Sequence, residues 1–149
     1  MDSKILKGLT DYQSLLHAND TNQITLFDYL QLNLKEGSIQ PDLSIAFLSF
    51  FWPEFISVDG LVYLKEEYSE KRLSELKKQN RLGKNLDYWM NLISIDGMFD
   101  SATREQCEYI SARVVDIWTA NLMQEFPDIS FSVEAINDEE DIFPVFYQN

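Results

Sequence analysis

The stretch Phe55–Leu64, FISVDGLVYL, strongly constrains the local fold because it sets two apolar runs on either side of Asp-Gly. This pattern predicts a two-residue β-hairpin, since a type I′ turn needs positive φ at both central residues, which Gly60 adopts freely and Asp59 tolerates. The implied register pairs Val58 with Leu61, Ile56 with Tyr63 and Phe55 with Leu64. Both faces are apolar, so we expect the hairpin to be covered on both sides, or covered on one and used for binding on the other.

A second stretch, LISIDGMF at Leu92–Phe99, nearly repeats FISVDGLV in a different context. Apolar residues at helical spacing precede it, and Asp100 and Ser101 after it are typical helix N-caps. There is no room for two paired strands, so Gly97 is predicted to end a helix or to link two helices. The two copies are expected to share turn chemistry without sharing a structure. No third copy follows, which argues against a repeat array.

The remaining pattern predicts an α+β fold, with several helices packed on a small antiparallel sheet. The sheet is expected to combine the hairpin at about 55–64 with C-terminal strands at about 129–136 and 142–147. Helices are predicted over about 4–17, 24–36, 41–52, 70–82 and 102–124, the fourth capped by Ser69. The length of 149 residues predicts one domain spanning 1–149.

Composition describes a chain with enough apolar residues for a core, at 45% of 149 residues. The single cysteine excludes an internal disulfide, which suits a reducing compartment. The most apolar stretch, Leu43–Ile56, is too short to span a membrane and contains Pro53 and Glu54. The first residues lack the apolar core of a signal peptide. We therefore expect a soluble, cytoplasmic protein.

The net charge of −13 is unevenly distributed. Residues 1–64 carry −5, residues 65–84 carry +3, and residues 85–149 carry −11. Such a field repels nucleic acid and anionic membranes and attracts basic surfaces. The charge therefore favours a basic protein as the partner, although an acidic surface also serves solubility alone.

Catalytic motifs are sparse. With one histidine, His17, and one cysteine, Cys107, a metal site of several histidines or cysteines is excluded. His17 is predicted at a helix end and Cys107 in the core, and no glycine-rich phosphate loop occurs. We expect no catalytic residue, metal or cofactor. The alternative is a carboxylate- or divalent-metal-dependent hydrolase that uses Asp96, Asp100 or the run Asp138–Asp141.

Two features predict a binding surface: the acidic run beside the last strands, and Trp52 where the chain turns at Pro53. The predicted partner-binding residues are Glu134, Asp138, Glu139, Glu140, Asp141, Trp52 and Glu54. The expected function is that of a non-enzymatic acidic binding domain of the immunity or inhibitor type, which masks a basic partner such as a nucleic-acid-acting protein. A self-associating structural subunit is a further alternative.

Overall fold

The computed structural model of the protein describes residues 5–6, 9–19, 24–79, 86–99, 101–138 and 141–149. The chain divides into two compact units, Met1–Leu48 and Ser49–Asn149. The expectation of one domain over residues 1–149 stays a prediction. No helix in the described ranges is both long and apolar enough to cross a bilayer.

The first unit contains α1 (Thr10–Ala18), α2 (Leu26–Lys35) and most of α3 (Pro41–Phe51). A capping box starts α2: the Thr25 hydroxyl accepts from the Asp28 N–H, and the Asp28 carboxylate accepts from the Thr25 N–H. Gly37 follows α2 with φ +75°. The helices predicted after residue 24 and after Pro41 are confirmed. The predicted first helix begins later, at Thr10, and residues 4, 7 and 8 lie outside the described ranges.

The second unit begins with the end of α3 and the hairpin β1 (Phe55–Val58) and β2 (Leu61–Leu64). The register is the predicted one, and Asp59 and Gly60 have φ of +52° and +81°. Val62 and Leu64 face a core that includes Val114, Trp118, Leu122 and Phe146. Tyr63 faces a second core with Leu73 and Met90. The hairpin is therefore covered on both sides.

In the described ranges, the hairpin is followed by the helices α4 (Glu70–Lys78), α5 (Leu86–Met90), α6 (Ile95–Met98) and α7 (Arg104–Glu125). The second Asp-Gly copy contains α6, with Ser94 as its N-cap, so Gly97 lies inside a short helix and the prediction that it ends or links helices is wrong. The N-cap of α7 is Thr103, whose capping box with Gln106 supplies the cap that was predicted from Ser101. Asp100 lies outside the described ranges.

The chain closes with β3 (Phe131–Asn137) and β4 (Ile142–Gln148), which pair antiparallel in register from Phe131↔Gln148 to Asn137↔Ile142. The α+β class is confirmed, but the strands of the described ranges form two separate two-stranded sheets and not the single expected sheet. The reason is that the side chain of Asn91 lies between β2 and β4 where backbone pairing would join them. The long helix α7 contacts both β3 and β4. Phe131 and Val133 pack against the core that contains Trp118.

The segment Asp87–Asp96 joins the two hairpins through hydrogen bonds to strand edges. Asn91 lies between β2 and β4: its Nδ2 donates to the carbonyls of Val62 and Phe146, at 3.0 and 3.3 Å. Three more bonds reach the same edge of β4: Ile142 N to Asp96 Oδ1 (3.0 Å), Ile93 N to Pro144 O (3.3 Å) and Gln148 N to Asp87 Oδ2 (2.7 Å). This segment therefore satisfies the backbone groups that β4 directs away from β3.

Candidate partner-binding surface

The acidic run lies at the turn between β3 and β4. The Asp141 N–H donates to Asp138 Oδ1 at 2.7 Å, and the Asp138 N–H donates to the Asp141 carbonyl at 3.1 Å. These bonds anchor the two ends of the turn. Glu139 and Glu140, which come between these two residues in the sequence, lie outside the described ranges.

Arg104, the first residue of α7, bonds to this turn. Its guanidinium donates to the Asp138 carbonyl at 2.7 Å and pairs with Glu108 at 3.1 Å. The turn is therefore fixed against the start of the longest helix, and the Asp138 side chain is exposed there.

Glu134 lies on the same hairpin, in the middle of β3. Its side chain is exposed and accepts a hydrogen bond from the Tyr147 hydroxyl at 3.1 Å. The structure thus brings together Glu134, Asp138 and Asp141 on one hairpin, as the sequence predicts. We call this surface, the described residues 128–138 and 141, the acidic hairpin surface.

Negative charge dominates the last quarter of the chain. From Val114 to Asn149 the sequence has eight aspartates and glutamates and neither lysine nor arginine. The exposed carboxylates of Asp128, Glu134 and Asp138 belong to this segment. Because carboxylates of one sign add their fields over a few ångströms, the surface attracts cations and basic side chains.

Asp96 and Asp141, two residues of the hydrolase alternative, are in side-chain contact. The Ile142 N–H, donated to the Asp96 carboxylate, is the main reason that the pKa of Asp96 lies below its ordinary value. Within the described part of the chain, no group of three or more histidine, cysteine, aspartate or glutamate side chains is placed to hold a metal ion. Asp100, Glu139 and Glu140 lie outside that part, so the hydrolase alternative stays a prediction.

Trp52 and Glu54 flank Pro53 in the link between α3 and β1. Trp52 is 46% exposed, in agreement with a partly exposed anchor. Glu54 is exposed and forms an ion pair with Lys65, which lowers the pKa of its carboxyl group. Since Lys65 neutralises Glu54, this carboxylate adds little to the negative field.

The structure separates these two residues from the acidic hairpin surface. The carbonyl of Pro53 accepts from the side chain of Asn121 at 2.9 Å, near the end of α7, whereas Asp138 is bonded to Arg104 at its start. A rise of about 1.5 Å per residue places these two positions on α7 roughly 25 Å apart. The predicted partner-binding residues therefore form two patches.

A half-open recess of about 180 Å³ adjoins the Trp52 patch. Its apolar wall includes Phe50, Pro53 and Trp118, and Glu66 and Glu67 add exposed carboxylates. The indole N–H of Trp118 is satisfied by the Phe50 carbonyl at 3.1 Å. A recess of this size is below the usual range for small-molecule sites, and it suits one side chain of a partner, such as lysine with its apolar stem.

Sequence reasoning missed the two buried polar residues of the joining segment. Asp87 and Asn91 are fully buried, within a stretch whose apolar residues alone predicted a helix. Burial raises the pKa of Asp87, against the lowering effect of the N–H groups of Gln148 and Tyr88. Their spacing of four residues in an apolar helical stretch is the one sequence signal that sets them apart, and it does not identify their partners. Cys107 is buried, as predicted, and burial raises its pKa.

Comparison of the chain with protein-family models, with curated proteins and with solved structures gives no match in any of the three. The case for a function therefore depends on the geometry and charge described above.

Proposed function

We propose that the protein is a non-enzymatic binding domain that masks a basic partner with its acidic hairpin surface. The observation that supports this proposal is the segment Val114–Asn149, which has eight acidic residues and no basic ones. Its last part forms the hairpin of β3 and β4, where Glu134 and Asp138 are exposed, and Asp128 is exposed shortly before β3. An inhibitor or immunity-type protein for a nucleic-acid-acting partner is the concrete form of this role.

Electrostatics gives such a surface two effects. A negative field steers a basic partner during diffusion and so raises the association rate. It also discriminates against acidic surfaces, which includes nucleic acid and anionic membranes. Because these charges are exposed, salt screens them over roughly 8 Å at physiological ionic strength, so binding should weaken as salt is added.

The proposal is tested by changing three carboxylates of the turn together, Glu139→Gln, Glu140→Gln and Asp141→Asn. The probe is a fluorescent peptide, acetyl-Lys-Thr-Lys-Val-Lys-Thr-Lys-amide, and affinity is measured by anisotropy at low salt. Loss of three nearby charges should weaken binding about tenfold or more. The fold is checked by circular dichroism and by cooperative melting.

The matched control changes three exposed carboxylates elsewhere, Asp59→Asn, Glu70→Gln and Glu75→Gln, which alters net charge by the same amount. These residues lie outside both the acidic hairpin surface and the recess beside Trp52. If control and turn variants lose the same affinity, net charge alone governs binding. If the turn variant keeps full affinity, the acidic run serves only solvation.

Self-association is a second candidate function, because the first unit exposes large apolar side chains. On α2, Phe27 is 75% exposed, and on α3, Ile45 and Leu48 are 64% and 66% exposed. Exposed apolar side chains at this density are typical of interaction surfaces. Sedimentation equilibrium of the protein and of Phe27→Gln/Leu48→Gln tests this function: a dimer that the double variant abolishes supports it, and a monomer at all concentrations removes it.

A further inference from the structure

The hydrogen-bonding pattern of the C-terminal hairpin leaves one strand edge open. The bonds Asn149 N to Ser130 O and Asp138 N to Asp141 O mark the two ends of the ladder. Because bonded and non-bonded pairs alternate in an antiparallel ladder, the even-numbered residues of β3 bond to β4. The N–H and C=O groups that point away from β4 are those of Phe131, Val133, Ala135 and Asn137.

Within the described ranges, these outward backbone groups of β3 have no hydrogen-bond partner. The other long edge, on β4, is bonded along its length by the segment Asp87–Asp96. The edge of β2 is bonded by the side chains of Asn91 and Gln148. The free edge of β1 belongs to a strand of four residues. The longest open edge is therefore that of β3.

This open edge also lacks most of the usual protection against strand addition, since Glu134 is the one charged side chain of β3. Natural edge strands are blunted by proline, lysine, bulges or very short length. β3 has seven residues, no proline and no lysine, and its register with β4 is continuous. Such an edge is a template for one more strand.

The negative charge around the open edge of β3 indicates which kind of strand would bind there. Carboxylates flank the edge at both ends, Asp128 and Asp138, and Glu134 lies at its middle, all three exposed. A second copy of the chain would bring a further −13 and the same carboxylates, which opposes self-pairing. A strand with basic side chains meets complementary charge along the whole edge.

We propose that the edge of β3 binds an extended basic segment of the partner as an added β-strand, through the backbone groups of Phe131, Val133, Ala135 and Asn137. This inference rests on the proposed function and specifies its mode of binding. Main-chain hydrogen bonds supply affinity, and the carboxylates select basic side chains.

Two peptides of equal charge separate strand addition from general attraction. The first is acetyl-Lys-Thr-Lys-Val-Lys-Thr-Lys-amide, and the second is the same sequence with every backbone nitrogen methylated, which cannot donate a backbone hydrogen bond. Strand addition predicts that the first binds about tenfold tighter or more, because several hydrogen bonds are lost together. Equal affinities overturn the strand mode and leave the proposed function intact, whereas no binding by either peptide overturns both.

A variant of the edge provides the complementary test. Ala135→Pro removes an N–H that points away from β4, so the β3–β4 ladder is retained. The matched control is Ala135→Val, which keeps the N–H. We expect Ala135→Pro to bind the first peptide as weakly as the parent protein binds the methylated peptide. Ala135→Val should bind the first peptide as tightly as the parent protein does. Equal binding by both variants overturns the proposal.

Amide hydrogen exchange tests the same edge directly. It is measured on the parent protein, so the result does not depend on whether a variant folds. In the free protein, the amides of Val133 and Ala135 should exchange fast and those of Ser132 and Glu134 slowly. Saturation with the first peptide should slow the exchange of the Val133 and Ala135 amides. Unchanged fast exchange at saturation overturns strand addition. Concentration-dependent protection without peptide shows that a second copy occupies the edge and also overturns it.

Discussion

The side chain of Asn91 pairs with Val62 of β2 as a neighbouring strand would. Its Nδ2 donates to the Val62 carbonyl at 3.0 Å, while its Oδ1 accepts from the next outward N–H of β2, that of Leu64, at 2.9 Å. The same Nδ2 reaches the Phe146 carbonyl on β4. One buried amide therefore replaces backbone pairing between the two hairpins.

Asn91→Ala should destabilise the protein by about 3 kcal/mol, because it leaves buried backbone groups of Val62 and Leu64 without partners. Gln148 is the matched comparison. Its side chain accepts from the Val62 N–H and donates to the Gly60 carbonyl from a less buried position, so Gln148→Ala should cost about 1 kcal/mol. Urea denaturation measures both, and a cost for Asn91→Ala no larger than that for Gln148→Ala would contradict the bridging role.

Changing the glycine of either Asp-Gly copy to alanine should destabilise the protein, for a different reason in each copy. Gly60 has φ +81° with open space around it, so Gly60→Ala should cost about 1 kcal/mol and Gly60→Asn less, because asparagine tolerates this conformation. At Gly97, a Cβ would lie 2.6 Å from the Ser94 Oγ that caps α6.

A double-mutant cycle tests this difference. Ser94→Ala removes the cap together with the nearer obstructing atom, the Oγ, and keeps the Ser94 Cβ at 3.3 Å. Gly97→Ala should therefore cost clearly less in the Ser94→Ala background than in the parent. The combination Ser94→Ala/Gly60→Ala should be additive. Additivity in both cycles, measured by thermal melting, would show that Gly97 is not constrained by Ser94.

Asp87 should make the protein less stable as pH rises from acid toward neutrality. Burial raises its pKa above the ordinary 3.8, so the folded state retains the proton longer than the unfolded state. The resulting stabilisation is complete below the unfolded pKa and is lost as pH rises through the higher folded pKa. In Asp87→Asn this loss should be absent, so the stability of the variant relative to the parent should increase with pH.

The control for this measurement is Asp28→Asn, at the capping box of α2. Hydrogen bonds from Thr25 lower the pKa of Asp28, so its stabilising effect is present above the unfolded pKa and is lost as pH falls. The two variants should therefore show opposite slopes in urea denaturation across pH. Equal slopes would contradict the assigned environment of Asp87.

Tyr63 should lose its proton at a higher pH than an ordinary tyrosine. Burial, with a further contribution from Asp87, raises its pKa from 10.0 to about 12. The stability that it supplies should be complete below pH 10.0 and lost as pH rises toward about 12. Tyr63→Phe should remove this alkaline loss, and the ultraviolet absorbance of tyrosinate should show one late phase in the parent alone. A normal titration of all tyrosines would contradict the burial.

Local chemistry explains what the sequence predicted correctly. The hairpin at Phe55–Leu64 depends on Asp59 and Gly60 at its own turn, and α7 depends on an apolar stripe that includes Cys107 and Trp118. The position of the acidic run between the last two strands was predicted from its own residues, and its role in binding a partner stays a prediction.

Distant partners explain what it did not predict. Asn91 bonds Leu64, 27 residues earlier, and Asp87 bonds Gln148, 61 residues later. The open edge of β3 depends on which strand edges the segment Asp87–Asp96 covers, and no local pattern encodes this. The separation of Trp52 from the acidic turn also depends on contacts between distant residues, because the two patches contact opposite ends of α7.

Backbone amide chemical shifts, followed while the acetyl-Lys-Thr-Lys-Val-Lys-Thr-Lys-amide peptide is added, test the central claim most directly. Binding of this basic peptide is predicted to change the chemical shifts of a continuous set of amides over residues 128–141. Added salt should reverse these changes. Perturbations concentrated on α4 or α2 instead, or changes that salt leaves intact, would contradict the account.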